Sequence, residues 1–145
     1  MIPRGHSAGA ALLIAFMLAG CGDPEPPAHL RIEGGDVARG RTLTYEKGCG
    51  ACHIIGGVPD ARGVVGPSLA NFAQRTMIAG RFPNAPRTLI PWLMDPPAMN
   101  PGTGMPNVGL DEAQARDIAA YLYSRGAAKA DVYPDKIKLP DPSPR

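Results

Sequence analysis

The sequence predicts an all-α domain with long loops, on three observations. Helical periodicity with recognisable end signals occurs at 36–48 and again at 109–126. No stretch alternates apolar and polar residues convincingly, as a half-buried strand would. Gly 18 and Pro 17 among 145 residues require much of the chain to be loop and turn.

The elements follow in order. In "DVARGRTLTYEKG" (36–48) Asp36 caps the start of a helix and Gly48 ends it. "PSLANFAQR" (67–75) reads as a short helix. "NAPRTLIPWLMDPP" (84–97) reads as helical from about 85 to 94, with Asn84 as cap. Pro91 lies inside it and removes a backbone hydrogen bond, so a short or kinked helix is expected. "GLDEAQARDIAAYLYSRG" (109–126) is the clearest helix. Asp111 is its N-cap and Gln114 the capping-box partner. Ala115, Ile118, Ala119 and Leu122 follow the i, i+3, i+4, i+7 pattern, and Gly126 stops it.

The flanks read differently. Residues 1–20 have the form of a signal peptide, with Arg4 before the apolar run 8–20, which is shorter than the ~20 residues a membrane span needs. The run ends Leu18-Ala19-Gly20-Cys21, which resembles the lipobox of bacterial lipoproteins. Cys21 would then be the acylated first residue of the mature chain. The alternative is an ordinary secretory signal beside a chance cysteine. Gly22, not an aspartate, follows Cys21, and the choice of inner or outer membrane stays open. Residues 21–35, rich in Pro, Gly and charge, read as a lipid-anchored flexible tether. In extended form it reaches roughly 40 Å. His29 there is expected to be a solvated tether residue. Residues 131–145 form a Pro-rich polar tail. The compact domain is expected at 36–130, without internal repeats.

Composition bounds the function. The formal charge is +2, and no basic cluster or aromatic platform suggests a nucleic-acid partner. Three cysteines do not make a secreted disulfide framework, which wants an even number. A loop-rich domain of about 95 residues buries little apolar surface unaided, so something else should fill its centre.

"EKGCGACHIIGG" (46–57) supplies a candidate. Cys-x-x-Cys-His is the attachment signature of c-type haem. Thiols spaced two residues apart reach both vinyl groups of a porphyrin as thioethers, and the following histidine reaches the iron. Cys49 and Cys52 would hold the ring and His53 would be the proximal ligand. Three other chemistries use similar residues. A thioredoxin-like pair belongs in a βαβ context. A zinc site needs four ligands, and these residues give at most three. A structural disulfide suits an oxidising compartment. For a sixth ligand the mature chain offers Met77, Met94, Met99 and Met105. The stiff loop "NPGTGMPNVGL" (100–110) favours Met105, with Met99 next. Met77 and Met94 read as core filler.

With these motifs the chain resembles the small, mitochondrial-like class I monohaem cytochromes c of bacterial respiratory chains. The resemblance covers nearly all of 36–126. It rests on Gly40 in the first helix, CGACH, "GPSL" (66–69), "WLMDPPAMNPGTGMP" (92–106) and "DIAAYLYS" (117–124). It implies a small cytochrome c fold of about 3–5 helices wrapped around one covalent haem c. It further implies His53 and Met105 as axial ligands, and a Pro67 carbonyl bonded to the distal nitrogen of the His53 ring. Trp92 would pack by the haem on the methionine side, or simply in the core. Gly40 would let the first helix cross closely over the last near Tyr121. The stretch 79–88, longer than a minimal loop, would shape one haem edge.

The function so implied is an extracytoplasmic, periplasmic single-electron carrier, lipid-anchored to a membrane and not itself an enzyme. Its redox partners would be an upstream quinol-oxidising complex or dehydrogenase and a downstream oxidase or reductase. The near-neutral charge predicts little long-range steering. Alternatives are a haem subunit of a larger oxidase or dehydrogenase complex, and a five-coordinate haem for gas binding or peroxide chemistry.

Overall fold

The computed structural model describes residues 25–127. The signal segment, Cys21 and the tail from residue 128 lie outside the described residues.

Helix α1 spans Val37–Glu46. The Asp36 carboxylate accepts the Arg39 N–H at 2.8 Å and caps it. Beyond the last turn, Gly48 takes φ 70°, a left-handed conformation that glycine adopts without penalty. Helix α2 is Pro86–Met94 and helix α3 is Pro96–Met99. Helix α4 is Glu112–Ser124, opened by a complete capping box. Gln114 N–H donates to Asp111 Oδ1 at 2.8 Å, and Asp111 N–H donates to Gln114 Oε1 at 3.2 Å.

The crossing of α1 over α4 organises the domain. A Cβ added at Gly40 would sit 1.9 Å from the Asp117 carbonyl oxygen and 2.9 Å from Tyr121 Cβ. Only glycine permits that approach, as the resemblance implied. One turn on, buried Thr44 returns its hydroxyl to the Gly40 carbonyl at 2.7 Å, so no buried polar group is left unpaired there. Beside the crossing, Asp117 accepts from Arg39 Nε at 2.8 Å, Arg39 Nη2 at 2.9 Å and the Asp36 N–H at 2.8 Å. Its side chain is 7% exposed. The Arg39 bond holds the Asp117 carboxyl below the usual carboxylate range.

The loops depart from expectation in three places. Residues 67–75 contain only a 3-10 turn, Phe72–Gln74. The Leu69 N–H is committed to the Ile54 carbonyl at 2.8 Å, which keeps the start of that stretch out of a helix. Asn84 does not cap α2, whose N-cap is Ala85 with Pro86 at the first turn. The Asn84 amide instead donates to the Phe72 and Arg75 carbonyls at 3.1 and 2.9 Å, and its oxygen accepts from Tyr123 Oη at 2.9 Å. A small antiparallel ladder, β1 (Met77–Ile78) with β2 (Phe82–Pro83), also forms. Its turn carries two positive φ values, Ala79 at 51° and Gly80 at 65°. Two-residue strands are too short to show alternation. Helix α2 is short, as Pro91 predicted, and gives way at Asp95 to α3.

The largest correction concerns the expected tether. Leu30 and Ile32 are only 2% and 8% exposed and belong to the main core, with Phe72, Leu89, Trp92, Ile118 and Tyr123. Two apolar side chains two residues apart are buried in that core, and the surrounding prolines hid them. Ordered structure therefore begins well before residue 36. Among the described residues no helix is long and apolar enough to cross a membrane.

Two measurements test this arrangement. Gly40→Val should destabilise the fold by about 3 kcal/mol or more, since backbone must move to admit it. Gly56→Ala, with nothing within 4 Å of the added carbon, should leave the denaturation midpoint nearly unchanged. The Asp117 bond contributes stability above the unfolded carboxylate range and loses it as pH falls through the lowered Asp117 value. Asp117→Asn should therefore lower stability at neutral pH and flatten the acid limb of the stability profile.

Candidate functional site

A cavity of about 520 Å³ lies at the centre of the domain, within the ~300–1,000 Å³ usual for ligand sites. Three of the helices, the β1 side of the hairpin and the loops contribute walls. The end of α1 gives Thr44 and Lys47, α2 gives Leu89, Trp92 and Leu93, and α4 gives Ile118 and Leu122. The β1–β2 hairpin gives Met77 to Gly80, and the 100–110 loop gives Met105. A second groove, of about 410 Å³, lies between the N-terminal segment, α1 and α4 and shares no lining residue with the first.

The attachment motif is built as a tight turn. After Gly48 reverses the chain, Cys49–Ala51 forms a 3-10 turn. The His53 N–H donates to the Cys49 carbonyl at 3.1 Å. Cys49, Cys52 and His53 thereby all line the cavity. Both thiols are free, and burial pushes the Cys49 thiol above its ordinary range. A thioredoxin-like reading finds no βαβ unit among the described residues. No cluster of three or more His, Cys, Asp or Glu able to hold a metal ion occurs among them either.

The His53 ring is fixed from two sides. Its Nδ1 lies 2.8 Å from the Pro67 carbonyl oxygen. A carbonyl can only accept, so Nδ1 carries the proton, and Nε2 is the nitrogen left to offer a lone pair. Gly66 packs flat on the ring, and a Cβ there would lie 2.2 Å from Cε1. Two further glycines hold the turn. A Cβ on Gly50 would meet Ala61 Cα at 2.7 Å, and one on Gly63 would meet the Ala51 oxygen at 2.3 Å. These three glycines were not picked out as site residues from the sequence. A glycine beside the motif was visible, but the backbone it touches was not.

Met105 is half-buried on the cavity wall. Its N–H donates to Thr103 Oγ1 at 3.1 Å, and Thr103 N–H donates to the Asn100 carbonyl at 2.9 Å. The loop is thus internally braced. Met94 and Met99 do not line the cavity, whereas Met77, expected as core filler, does and is 41% exposed. Trp92 is 6% exposed, lines the cavity and lies 5.9 Å from the Phe82 ring, so it serves core and site together. His29 is exposed and takes no part in the site.

A family model described as cytochrome c matches residues 37–125. The chain belongs to the cytochrome c family. Cytochromes c are electron-transfer proteins, and the family implies covalently bound haem c. The cytochrome is 36% identical over 109 residues to the cytochrome c-type cyt cy of Rhodobacter capsulatus, over 67% of this chain and 55% of that one. It is 34% identical over 87 residues to cytochrome c oxidase subunit 2 of Alkalihalophilus pseudofirmus, over 59% of this chain and 25% of that one. The match therefore spans about half or less of these relatives. Similar solved structures include cytochrome c2 of Paracoccus denitrificans, at 21% identity and TM-score 0.49 over 65% of this chain and 98% of that one. Another is cytochrome cH of Methylobacterium extorquens, at 30% identity and TM-score 0.43 over 61% of this chain and 97% of that one.

The residues present fit haem c on structural grounds. Two free thiols, an imidazole with one nitrogen already committed and a thioether face one largely apolar cavity. Gly66→Val tests the cradle. Displacing the His53 ring should cut covalent haem incorporation at least severalfold, read from the haem absorbance of purified protein against total protein.

Proposed function

We propose that this cytochrome is an extracytoplasmic carrier of single electrons between respiratory partners, with Cys49 and Cys52 as thioether positions and His53 and Met105 as axial ligands. The observation that carries this reading is the fixed His53 ring. With Nδ1 held on the Pro67 carbonyl, Nε2 is the nitrogen left for iron, on the cavity that Met105 also lines. When bound, a haem iron gains and loses one electron between Fe(II) and Fe(III). The chain supplies the surroundings for that exchange. Leu89, Trp92, Leu93, Ile118 and Leu122 exclude water and keep the dielectric low. Met105, a soft thioether, favours the reduced state, and a His/Met pair raises the potential relative to stronger donors. With the His53 ring fixed and the Met105 loop braced, these two residues as ligands would leave little to reorganise when the charge changes, and no open position for a substrate.

The Cys21 signal supports a lipid-anchored location outside the cytoplasm, with an upstream quinol-oxidising complex or dehydrogenase and a downstream oxidase or reductase as partners. A second reading has its own support. Two of the relatives are cytochrome c oxidase subunit 2 proteins, matched over 25% and 26% of their length. The same domain could thus serve as a haem subunit within a larger complex.

Optical spectra of the mature protein, made with haem maturation factors, test the assignment. A low-spin reduced spectrum and a near-infrared methionine-to-iron band when oxidised are expected. Met105→Ala should give a high-spin, carbon-monoxide-binding form, and Met99→Ala should not. A high-spin wild-type protein would instead mean an open iron. The Cys49→Ala, Cys52→Ala double variant should lose all haem stain on a denaturing gel. A retained stain would overturn the thioether assignment. A partner that co-purifies stoichiometrically through high salt would favour the subunit reading.

A further inference from the structure

The segment expected to be a tether is bound to the domain along most of its described length. Leu30 and Ile32 are buried in the main core. The Gly35 backbone lies flat on α4, where a Cβ would sit 2.8 Å from the Arg116 oxygen and 2.9 Å from Ala120 Cβ. The Glu33 carbonyl accepts from Arg116 Nη1 at 3.4 Å, and the Asp36 N–H donates to Asp117 Oδ1 at 2.8 Å. Local bonds stiffen it further. Leu30 N–H reaches the Pro27 carbonyl at 2.9 Å, and Arg31 pairs with Glu25 at 3.0 Å. At its start, Glu25 and Pro26 line the groove beside Val37, Arg41, Tyr121 and Ser124.

We propose that residues 25–35 are a strap welded to α4, so that an anchor at Cys21 holds the domain directly against the lipid surface by the face where Glu25 enters the α1–α4 groove. This rests on the lipid-anchor reading above. From Cys21 to Glu25 the chain advances four residues, at most about 14 Å when fully extended. The roughly 40 Å of reach that a free 14-residue spacer would give is not available. The height of the domain above the membrane is therefore nearly fixed. The groove shares no lining residue with the haem cavity, so holding the domain by this face does not require covering the cavity walls. The partner that fits is one whose docking surface lies within about one domain diameter of the same bilayer, such as a membrane-integral redox complex.

Neutron reflectometry of the full lipidated holoprotein on a supported phosphatidylcholine bilayer tests this. The comparison is a variant with 20 Gly/Ser residues inserted between Asp23 and Pro24. The native chain should give a protein layer in contact with the headgroups. The variant should open a hydrated gap on the order of 10–25 Å, up to the r.m.s. length of such a linker. An equal gap in both proteins would overturn the strap. Mass spectrometry of the same sample separates the two claims, because an unmodified Cys21 would remove the anchor reading and this inference with it. Hydrogen exchange gives a further check without the membrane. The amides of Leu30, Gly35 and Asp36 should exchange at least a hundredfold slower than an unstructured chain. Exchange at the unstructured rate would show the strap to be free.

Discussion

The contact of the Gly40 backbone with the backbone of α4 at Asp117 is the constraint on which the other elements depend. A helix pair that touches backbone to backbone has no side chain between its axes to set a larger distance. That closeness brings Thr44 and Lys47 at the end of α1 to the same cavity as Ile118 and Leu122 of α4. The left-handed Gly48 then turns the chain so that both cysteines and His53 fall on that cavity. The Arg39–Asp117–Asp36 bonds secure one side of the crossing, and the strap reaches α4 through Glu33 and Gly35 while Leu30 and Ile32 join the core. This explains why α4 buries every residue from Asp117 to Ser124, eight in succession, and Ala115 as well. Such a helix is not amphipathic in the ordinary sense, because partners surround it.

A domain this small with a large central cavity is poorly off for apolar contacts. Residues such as Leu89 and Ile118 have neighbours on one side and the cavity on the other. Missing contacts of this kind cost dispersion energy that the fold cannot recover by collapse, because the walls are separately braced. The Asn84 amide ties the hairpin to the Phe72 turn and to Tyr123. The Thr103 turn braces the Met105 loop. A ligand bound only by the folded state adds stability by mass action, so cavity and bracing belong to one design. The walls are held for a guest, and the guest completes the core.

What could be read from the sequence was what local chemistry determines. Asp36 and the Asp111–Gln114 box declare helix starts because capping depends on residues within one turn. The attachment motif was legible because its spacing is itself the chemistry. Features decided by distant packing were not. Asn84 has the same side chain whether it caps α2 or bridges three carbonyl and hydroxyl groups elsewhere, and only tertiary structure chooses. Leu30 and Ile32 stood in a proline-rich segment whose composition argued for a solvated chain. Gly50, Gly63 and Gly66 resemble any loop glycines until the opposing backbone is known. Met77 and Met105 could be told apart as filler and ligand only by the loop around Met105, yet both reach the cavity.

Net charge is the remaining place where a global number conceals local order. The whole chain is formally +2, which by itself predicts weak steering. The stretch 61–94, however, contains Arg62, Arg75, Arg81 and Arg87 and no acidic residue. The ion pairs found among the described residues lie elsewhere, joining Arg31 to Glu25, Arg39 to Asp36 and Asp117, and Arg116 to Glu112. Carboxylates outside the stretch are thus partly neutralised within the fold, while its four arginines have no acidic partner there. That stretch also carries Pro67, the hairpin wall and exposed Val64 and Val65, at 82% and 83%. Steering depends on where charge sits relative to the docking edge, not on its sum. A nearly neutral protein can therefore present a one-signed field beside its cavity, with an apolar pair inside it that loses water on contact.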